Sequence, residues 1–460
     1  MSSPKPTKTQ SFLESYFKLS ENNTNVRTEV IAGITTFITM AYIIIVNPGI
    51  LSLTGMNFQS VFVATCLASA LGTLIMGLYA NLPFAQAPGM GLNAFFTFSV
   101  CFGMGYTWQE ALAAVFISGL LFIAITLTSI REKIVDALPH NLKLAISGGI
   151  GLFIALIGLK SGGIVVANHE TLVAFGKFIE PGPFLTIIGI VITAVLMARK
   201  VKGSILIGIL ATTIIGFPLG ITKGIALNTI FSANISLAPT FMKMDFSKLL
   251  SHTGGNIAGA GVMGAFISII MVVLTFSLVD LFDTIGTLVG TAQKANMLDK
   301  DGKVKNMSKA LLSDAVATTA GAVFGTSTVV TYVESTAGIS EGGRTGLTSV
   351  VVGIMFLLAL FFGNLVGIVP GQATAPALII VGVLMMGSVT KIDFTDFTEA
   401  LPAFFTIAIM PFTYSIANGI AAGLIFYPIV KVATGKHKEV HPIVYILAVL
   451  FVIRFILLPE

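Results

Sequence analysis

Long apolar runs separated by short polar connections set the plan of this chain. Runs long enough to cross about 30 Å of hydrocarbon are read at 29–50, 60–80, 109–130, 134–160, 183–199 and 203–220. A more polar stretch spans 221 to 261, and the runs resume at 262–290, 308–325, 345–366, 373–391, 398–412 and 415–432. Two further stretches, 84–100 and 327–342, are apolar but interrupted by Pro, Gly and polar residues. Counting them gives fourteen crossings, seven on each side of the polar midpoint. The pattern predicts an all-α polytopic membrane protein with short extended stretches in its broken segments 3 and 10.

Each interrupted stretch is the third element of its half. Broken segments at corresponding positions of two halves point to a transporter site built from an inverted repeat. In PFAQAPGMGLNAFF, the chain from Pro83 to Pro88 cannot start as helix, and Gly89 and Gly91 loosen the turns just after it. In TSTVVTYVESTAGIS, the β-branched run from Thr328 to Val333 prefers an extended chain, with helix beginning near Glu334. Two half-helix N-termini then face each other near the midplane, and their free N–H groups form a polar socket.

Odd-length halves invert the second relative to the first, and the charges agree with this. With the N-terminus inside, the basic loops at 131–133, 199–202, 294–309 and 431–438, and Arg344, fall on the cytoplasmic side, as the positive-inside rule requires. Lys160, Lys177, Lys223, Lys243 and Lys248 are the exceptions, in two longer outer loops. The expected organisation is a cytoplasmic N-terminal segment 1–28, a first repeat 29–220, a linker 221–261, an inverted second repeat 262–432 and a C-terminal segment 433–460. That last segment carries Arg454 and reads as an in-plane helix or a fifteenth crossing.

The polar groups inside these runs are the candidate chemistry. Asp280 and Asp283 lie deep in the run 262–290, where a carboxylate costs about 2.5 to 3.5 kcal/mol at the bilayer centre. Residues three and four apart share a helix face, so Ser277, Asp280, Asp283, Thr284 and Thr287 form one polar stripe. The stripe must face protein or a cavity. Two close acids titrate as a coupled pair, which suits Asp280 and Asp283 to carrying a proton; the plain alternative is helix-to-helix bonding. Glu334 is the third deep acid, and Thr331-x-x-Glu334 also fits a capping box. Asp314 and Glu341 are placed nearer helix ends. Thr35, Thr39 and Tyr42 make a milder stripe on the first helix, with threonine back-bonding as the alternative. Gln86 and Asn93 flank the first broken stretch and offer both donor and acceptor. All five histidines fall at edges or in loops.

Composition narrows the class further. Of 460 residues 55% are hydrophobic and 10% charged, against about 25% charged in ordinary soluble domains. The net charge of +5 sits in loops and reports orientation, not nucleic-acid binding. Cys66 and Cys101 lie inside apolar runs, so neither a disulfide framework nor a metal site is read. GGIGLFIALIG at 148–158 lacks the Lys-Ser/Thr of a nucleotide loop and reads as helix packing. Without an ATPase motif, transport would run on an ion gradient. No cofactor and no catalytic residue set is expected.

Four stretches carry a family resemblance: TYVESTAGISEGGRTGL at 331–347, VDLFDTIGTLVG at 279–290, QAPGMGLNAFF at 86–96 and TEVIAGITTFITMAYIIIVNP at 28–48. In their order and spacing they resemble the purine permeases of the nucleobase-cation symporter-2 (nucleobase-ascorbate transporter) family, in particular the hypoxanthine, guanine and adenine permease branch. The resemblance implies two inverted seven-helix repeats divided into core and gate domains, with a purine bound between the broken segments. It places the eighth-helix acid on Asp280, one turn before Asp283 and Thr284, and the tenth-segment acid on Glu334 between Tyr332 and Ser335. The implied substrate-binding set is Asp280, Glu334, Asp283, Thr284, Ser335, Tyr332, Gln86, Asn93 and Thr39, with proton coupling by Asp280, Asp283 and Glu334. Other branches carry Glu at the eighth-helix position and lack the acid matching Asp283, which leaves the division of roles between the two aspartates open.

The implied activity is import of hypoxanthine, guanine or adenine by proton symport in the cell membrane, sodium being the other coupling ion in view. Family members often pair as homodimers, though no dimer face is legible here. Three other readings compete: a sulfate-type anion exchanger of the same fold, a uracil or xanthine permease, and an uncoupled channel or receptor. An acid at one of the half-helix starts disfavours an anionic substrate. A membrane enzyme would need a nucleophile-base pair or metal cluster, and none is read.

Overall fold

The computed structural model describes residues 8–128, 138–224, 235–251, 261–294, 297 and 304–457 of the chain. The basic triplet at 131–133, parts of the 221–261 linker and of the 294–309 loop, and the side chain of Arg454 lie outside the described residues. A short helix, α1 (Lys8–Phe17), leads into the first apolar run. That run is two helices rather than one, α2 (Val26–Met40) and α3 (Ile43–Leu51). The break has local causes. Thr39 Oγ1 donates back to the carbonyls of Thr35 at 3.1 Å and Thr36 at 2.7 Å, a mode that bends helices. Pro48 lies further on, inside α3, where it leaves the Ile44 carbonyl without its usual N–H.

Next comes α4 (Phe58–Ile75), started by Asn57, whose side chain accepts from the Ser60 N–H at 3.0 Å. The first interrupted stretch holds strand β1 (Gln86–Pro88) and helix α5 (Met90–Ala94), which continues with wider turns to Gly103. Beyond it lie α6 (Trp108–Leu127), α7 (His140–Ser161), a hairpin of β2 (Val165–Asn168) and β3 (Leu172–Phe175), α8 (Pro181–Ala198) and α9 (Ser204–Gly216). After α10 (Phe246–Ser251) the second half opens with the long α11 (Gly261–Lys294) and α12 (Met307–Phe324). Strand β4 (Val329–Thr331) and α13 (Ser335–Ser340) form the second interrupted stretch. The rest is α14 (Gly346–Ala359), α15 (Gly371–Met386), α16 (Phe397–Phe412), α17 (Ile416–Ala433) and α18 (Pro442–Leu457).

Among the described residues, nine helices are long and apolar enough to cross a membrane, and four shorter apolar helices accompany them. The chain is a multi-pass, mainly helical membrane protein. Length alone does not return fourteen crossings, because both interrupted stretches are part strand and several runs form helices of fewer than 18 residues.

Packing sorts the helices into two groups. In one, α14 lies on α2 and α4, and α12 lies on α4 and α6; in the other, α7 lies on α15 and α16, while α8 packs on α9 and α15. Each group mixes helices from both halves of the chain. Within the first group, backbone meets backbone: a Cβ on Gly346 would come 1.9 Å from the Gly77 carbonyl oxygen, so only glycine fits. Beside this contact Glu29 is fully buried. Its carboxylate accepts from the N–H groups of Arg344 at 2.8 Å, Thr345 at 3.3 Å and Thr348 at 3.1 Å, and from the Thr348 hydroxyl at 2.6 Å. The Thr345 and Thr348 N–H groups are among the donors a helix start leaves without partners, and a negative charge suits that end of the dipole. Glu29 thereby ties the first membrane helix to the start of α14.

Candidate functional site

The two interrupted stretches meet strand to strand. β1 and β4 pair antiparallel, with Gln86 opposite Thr331, Ala87 opposite Val330 and Pro88 opposite Val329. The ladder continues with the Gly89 N–H donating to the Thr328 carbonyl at 3.0 Å and the Tyr332 N–H to the Ala85 carbonyl at 2.9 Å. β-branched residues on one strand and prolines around the other hold the chain extended, and helix resumes at Met90 and at Ser335. The extended stretches of segments 3 and 10 thus fall where the sequence pattern puts them.

Several expected site residues hold this crossing together. The Tyr332 hydroxyl donates to the Pro88 carbonyl at 2.5 Å, and Ser335 Oγ accepts from the Ala85 N–H at 3.0 Å. Gln86 Nε2 donates to Thr331 Oγ1 at 3.4 Å, while Gln86 Oε1 accepts from Ser313 at 3.2 Å. Asn93 Oδ1 accepts from the Ser327 hydroxyl. All four candidates are buried. Thr39 stays on its own helix backbone, as its back-bonding alternative anticipates.

Behind the crossing lies a buried acid pair. Asp280 and Thr284 of α11 and Asp314 of α12 are each fully buried. The Thr284 hydroxyl stands 3.3 Å from Asp280 Oδ1 and 2.8 Å from Asp314 Oδ1, and it accepts from the Thr331 N–H at 3.4 Å. One hydroxyl proton serves one carboxylate at a time, so Thr284 is a switchable bridge between them. The expectation that Asp314 sits near a helix end is corrected here. It lies well inside α12, where α4 and α6 cover the helix, so a short distance along the axis is already the interior. Its signal was present, since Asp314 is the one charged residue between Lys309 and Glu334. Glu341 does lie beyond its helix, paired with Lys202 at 2.5 Å.

In front of the crossing are Asp283 and Glu334, both partly exposed. The Tyr42 hydroxyl, buried at the break between α2 and α3, donates to Glu334 Oε1 at 2.7 Å. Around them Val333 is 54% exposed, and a Cβ on Gly286 or Gly290 would meet nothing within 4 Å. Among the described residues, nothing covers this face of α11 at Gly286 and Gly290. The single stripe expected on α11 is therefore divided: Ser277 bonds to Ser118 of α6 at 2.9 Å, Asp280 and Thr284 turn to α12, and Asp283 turns to the opening. The capping box is not formed among the described residues, because the Thr331 hydroxyl takes the Gln86 amide and Glu334 takes the Tyr42 hydroxyl.

Membrane-length helices packed around two paired, broken segments, with acids on both sides of the crossing, define a multi-pass membrane transporter. A family model described as a permease family matches residues 27–422, and the chain belongs to this family, the nucleobase-ascorbate transporter family that its motifs resemble. The adenine permease AdeP of Escherichia coli is 43% identical over 98% of this chain and 97% of its own length. The guanine/hypoxanthine permease PbuO of Bacillus subtilis is 46% identical over 96% of this chain and 100% of its own. Among solved structures, the transmembrane domain of a cyanobacterium bicarbonate transporter, BicA, superposes with a TM-score of 0.59 at 15% identity, covering 86% of this chain and 97% of that one. That likeness shows a shared fold.

Proposed function

We propose that this permease imports purine nucleobases by proton symport, with the base bound in front of the β1–β4 crossing. The observation that carries the reading is the disposition of four carboxyl groups about the crossing: Asp283 and Glu334 on its open side, Asp280 and Asp314 bridged by Thr284 behind it. A purine presents adjacent N–H donors and ring acceptors. Glu334 or Asp283 as carboxylate accepts from one edge, and a protonated partner or a strand N–H donates to the other. Bases lacking these groups would leave buried partners unpaired, which supplies selectivity. The adenine and guanine/hypoxanthine permeases among the relatives support the substrate class.

Coupling arises when the base binds best with one carboxyl protonated, since each ligand then raises the affinity of the other by the same factor. Asp280, Thr284 and Asp314 hold the proton store, and Thr331, which donates its N–H to Thr284, connects it to the strand that leads to Glu334. Repeats at 29–220 and 262–432 joined by 221–261, a cytoplasmic N-terminus and fourteen crossings complete the reading. The two packing groups correspond to its core and gate.

The test is uptake of radiolabelled hypoxanthine and adenine into cells lacking their own purine permeases, with and without a protonophore, for this chain and for Asp280→Asn. Uptake that collapses with the protonophore and with the substitution supports symport through this site. Protonophore-insensitive uptake abolished by sodium removal reassigns the coupling ion, and absence of purine uptake by a folded protein returns the anion-exchanger reading.

A further inference from the structure

We propose that Tyr414 is a latch that shuts one end of the substrate path, fastening the helix that leaves the crossing to the second packing group; this rests on the reading that the base passes the β1–β4 crossing. The first observation is a residue its backbone does not favour. Tyr414 sits in the turn between α16 and α17 at φ +55°, in the left-handed region. The turn is a Schellman cap: the Ser415 N–H donates to the Met410 carbonyl at 3.1 Å, and the Tyr414 N–H to the Pro411 carbonyl at 3.4 Å. Glycine is the usual residue at that position, because a Cβ there is strained. A bulky aromatic held against its backbone preference points to a use for the side chain.

The ring lies across the joint between the two packing groups. The strands of the crossing rest on α4 and α12 of the first group, and α5, continued to Gly103, leads away from them carrying Phe95, Phe98 and Ser99. Phe98 meets the Tyr414 ring edge to face at 5.9 Å, and Phe153 of α7 meets it in the same manner at 5.4 Å. Ser99 Oγ donates to the Tyr414 carbonyl at 3.4 Å. Lys160, at the end of α7, places Nζ 4.8 Å from the centre of the ring, a favourable cation–π contact. Phe98, Ser99 and Phe153 are buried while Lys160 is exposed, so the ring stands between a sealed interior and the rim. Lys160 is one of the lysines that break the positive-inside pattern, and its seat on this ring gives the exception a reason.

The sequence of α7 is patterned for this contact. Ile150, Phe153, Ile157 and Lys160 follow one another at three, four and three residues and share one helix face. Nearer the crossing, α7 closes on α5 without a gap: a Cβ on Gly91 would come 2.7 Å from Ile150 Cγ2. On α11 the matching contact is Phe276, fully buried and edge-on to Phe95 at 4.7 Å. Beyond Asp283 on the same helix, nothing among the described residues covers Gly286 and Gly290. The path is shut on the Phe276 side of the crossing and uncovered on the Gly290 side. With the N-terminus cytoplasmic, the shut end is the outer one. Alternating access requires that end to open in its turn, and the contacts that must break there are the two aromatic pairs and the cation–π contact on Tyr414, each weak enough to give way.

Thiol labelling tests the latch without requiring transport. Ser99→Cys in the full chain, with Cys66→Ala and Cys101→Ala, puts a single reporter thiol beside Tyr414, and a membrane-impermeant methanethiosulfonate is applied to intact cells. With Tyr414 in place, slow labelling is expected. Tyr414→Gly, which suits the turn, should speed it by about tenfold, Lys160→Gln by about threefold, and Tyr414→Phe should leave it slow. A folded yield of Tyr414→Gly equal to its parent by size-exclusion chromatography excludes unfolding as the cause; if that variant folds poorly, Lys160→Gln at the exposed rim decides alone. Labelling already fast with Tyr414 present, or equally slow in Tyr414→Gly and Lys160→Gln, overturns the latch. Tyr414-dependent labelling in a protein that takes up no purine would support the latch and sink the transport reading instead.

Discussion

At the residue scale, Thr284 is the most informative position in the molecule. Its hydroxyl links Asp280 to Asp314 and also receives the Thr331 N–H. Removing it leaves two buried acids without their bridge, and hydrogen bonds to charged groups are worth about 1.5 to 3 kcal/mol each. Thr284→Val is expected to lower purine uptake by tenfold or more, while Thr284→Ser keeps most of it; uptake rates normalised to surface expression decide. Glu29 makes a different prediction. Among the described residues its carboxylate makes no hydrogen bond to the crossing, and it satisfies four donors at the start of α14. Glu29→Ala should cost about 2 kcal/mol, read as a lower midpoint in a detergent thermal-shift assay, with no change in the affinity of whatever uptake remains. Asp280 and Glu334 were legible as deep acids because hydropathy marks charge in an apolar run. Their partners were not, because Asp314 and Tyr42 are 34 and 292 residues away along the chain.

At the scale of elements, the close approach of α14 to the end of α4 predicts a contrast between glycines. Gly346→Ala would place a methyl 1.9 Å from the Gly77 carbonyl, and forced backbone shifts of this kind cost about 1 to 3 kcal/mol. Gly49→Ala in α3 meets nothing within 4 Å and should be neutral or stabilising, since alanine favours helix. Comparing the folded yield of the two variants by size-exclusion chromatography separates a packing effect from a general intolerance of change. A second contrast concerns Lys431, buried between Glu399 and Glu439. Lys431→Met strands Glu399, and breaking a buried pair in this way is strongly destabilising; Lys431→Met combined with Glu399→Gln should recover much of the loss in the same thermal assay. The apolar runs foretold nearly every helix here, but not the break at Tyr42, which follows the threonine back-bonding in α2.

At the scale of the whole molecule, proton symport predicts uptake that rises as external pH falls, and the ion pairs at the helix ends should not confound that measurement. The hydrogen bonds from Lys436 and Thr398 hold the Asp396 carboxyl below the usual carboxylate range. A lowered carboxyl pKa contributes stability above the unfolded value of about 3.9 and loses it only as pH falls towards the folded value. Between pH 7 and 5 the Asp396–Lys436 pair is therefore intact. Acid stimulation over that window is expected to persist in Asp396→Asn, and to be blunted in Asp280→Asn; initial uptake rates against pH distinguish the two.

The sequence by itself determined the membrane class, the position of nearly every apolar element, the two extended breaks and three of the deep acids. Those features depend on local sums: hydropathy over a helix length, the φ restriction of proline, the extended preference of β-branched residues. Only the tertiary structure decided which acid meets which, that Tyr332, Ser335 and Gln86 brace the crossing, and that one polar stripe on α11 serves two sides of it. A hydrogen bond needs its partners within about 3 Å, and that proximity comes from how the two halves interlock, which no periodicity along a single chain encodes.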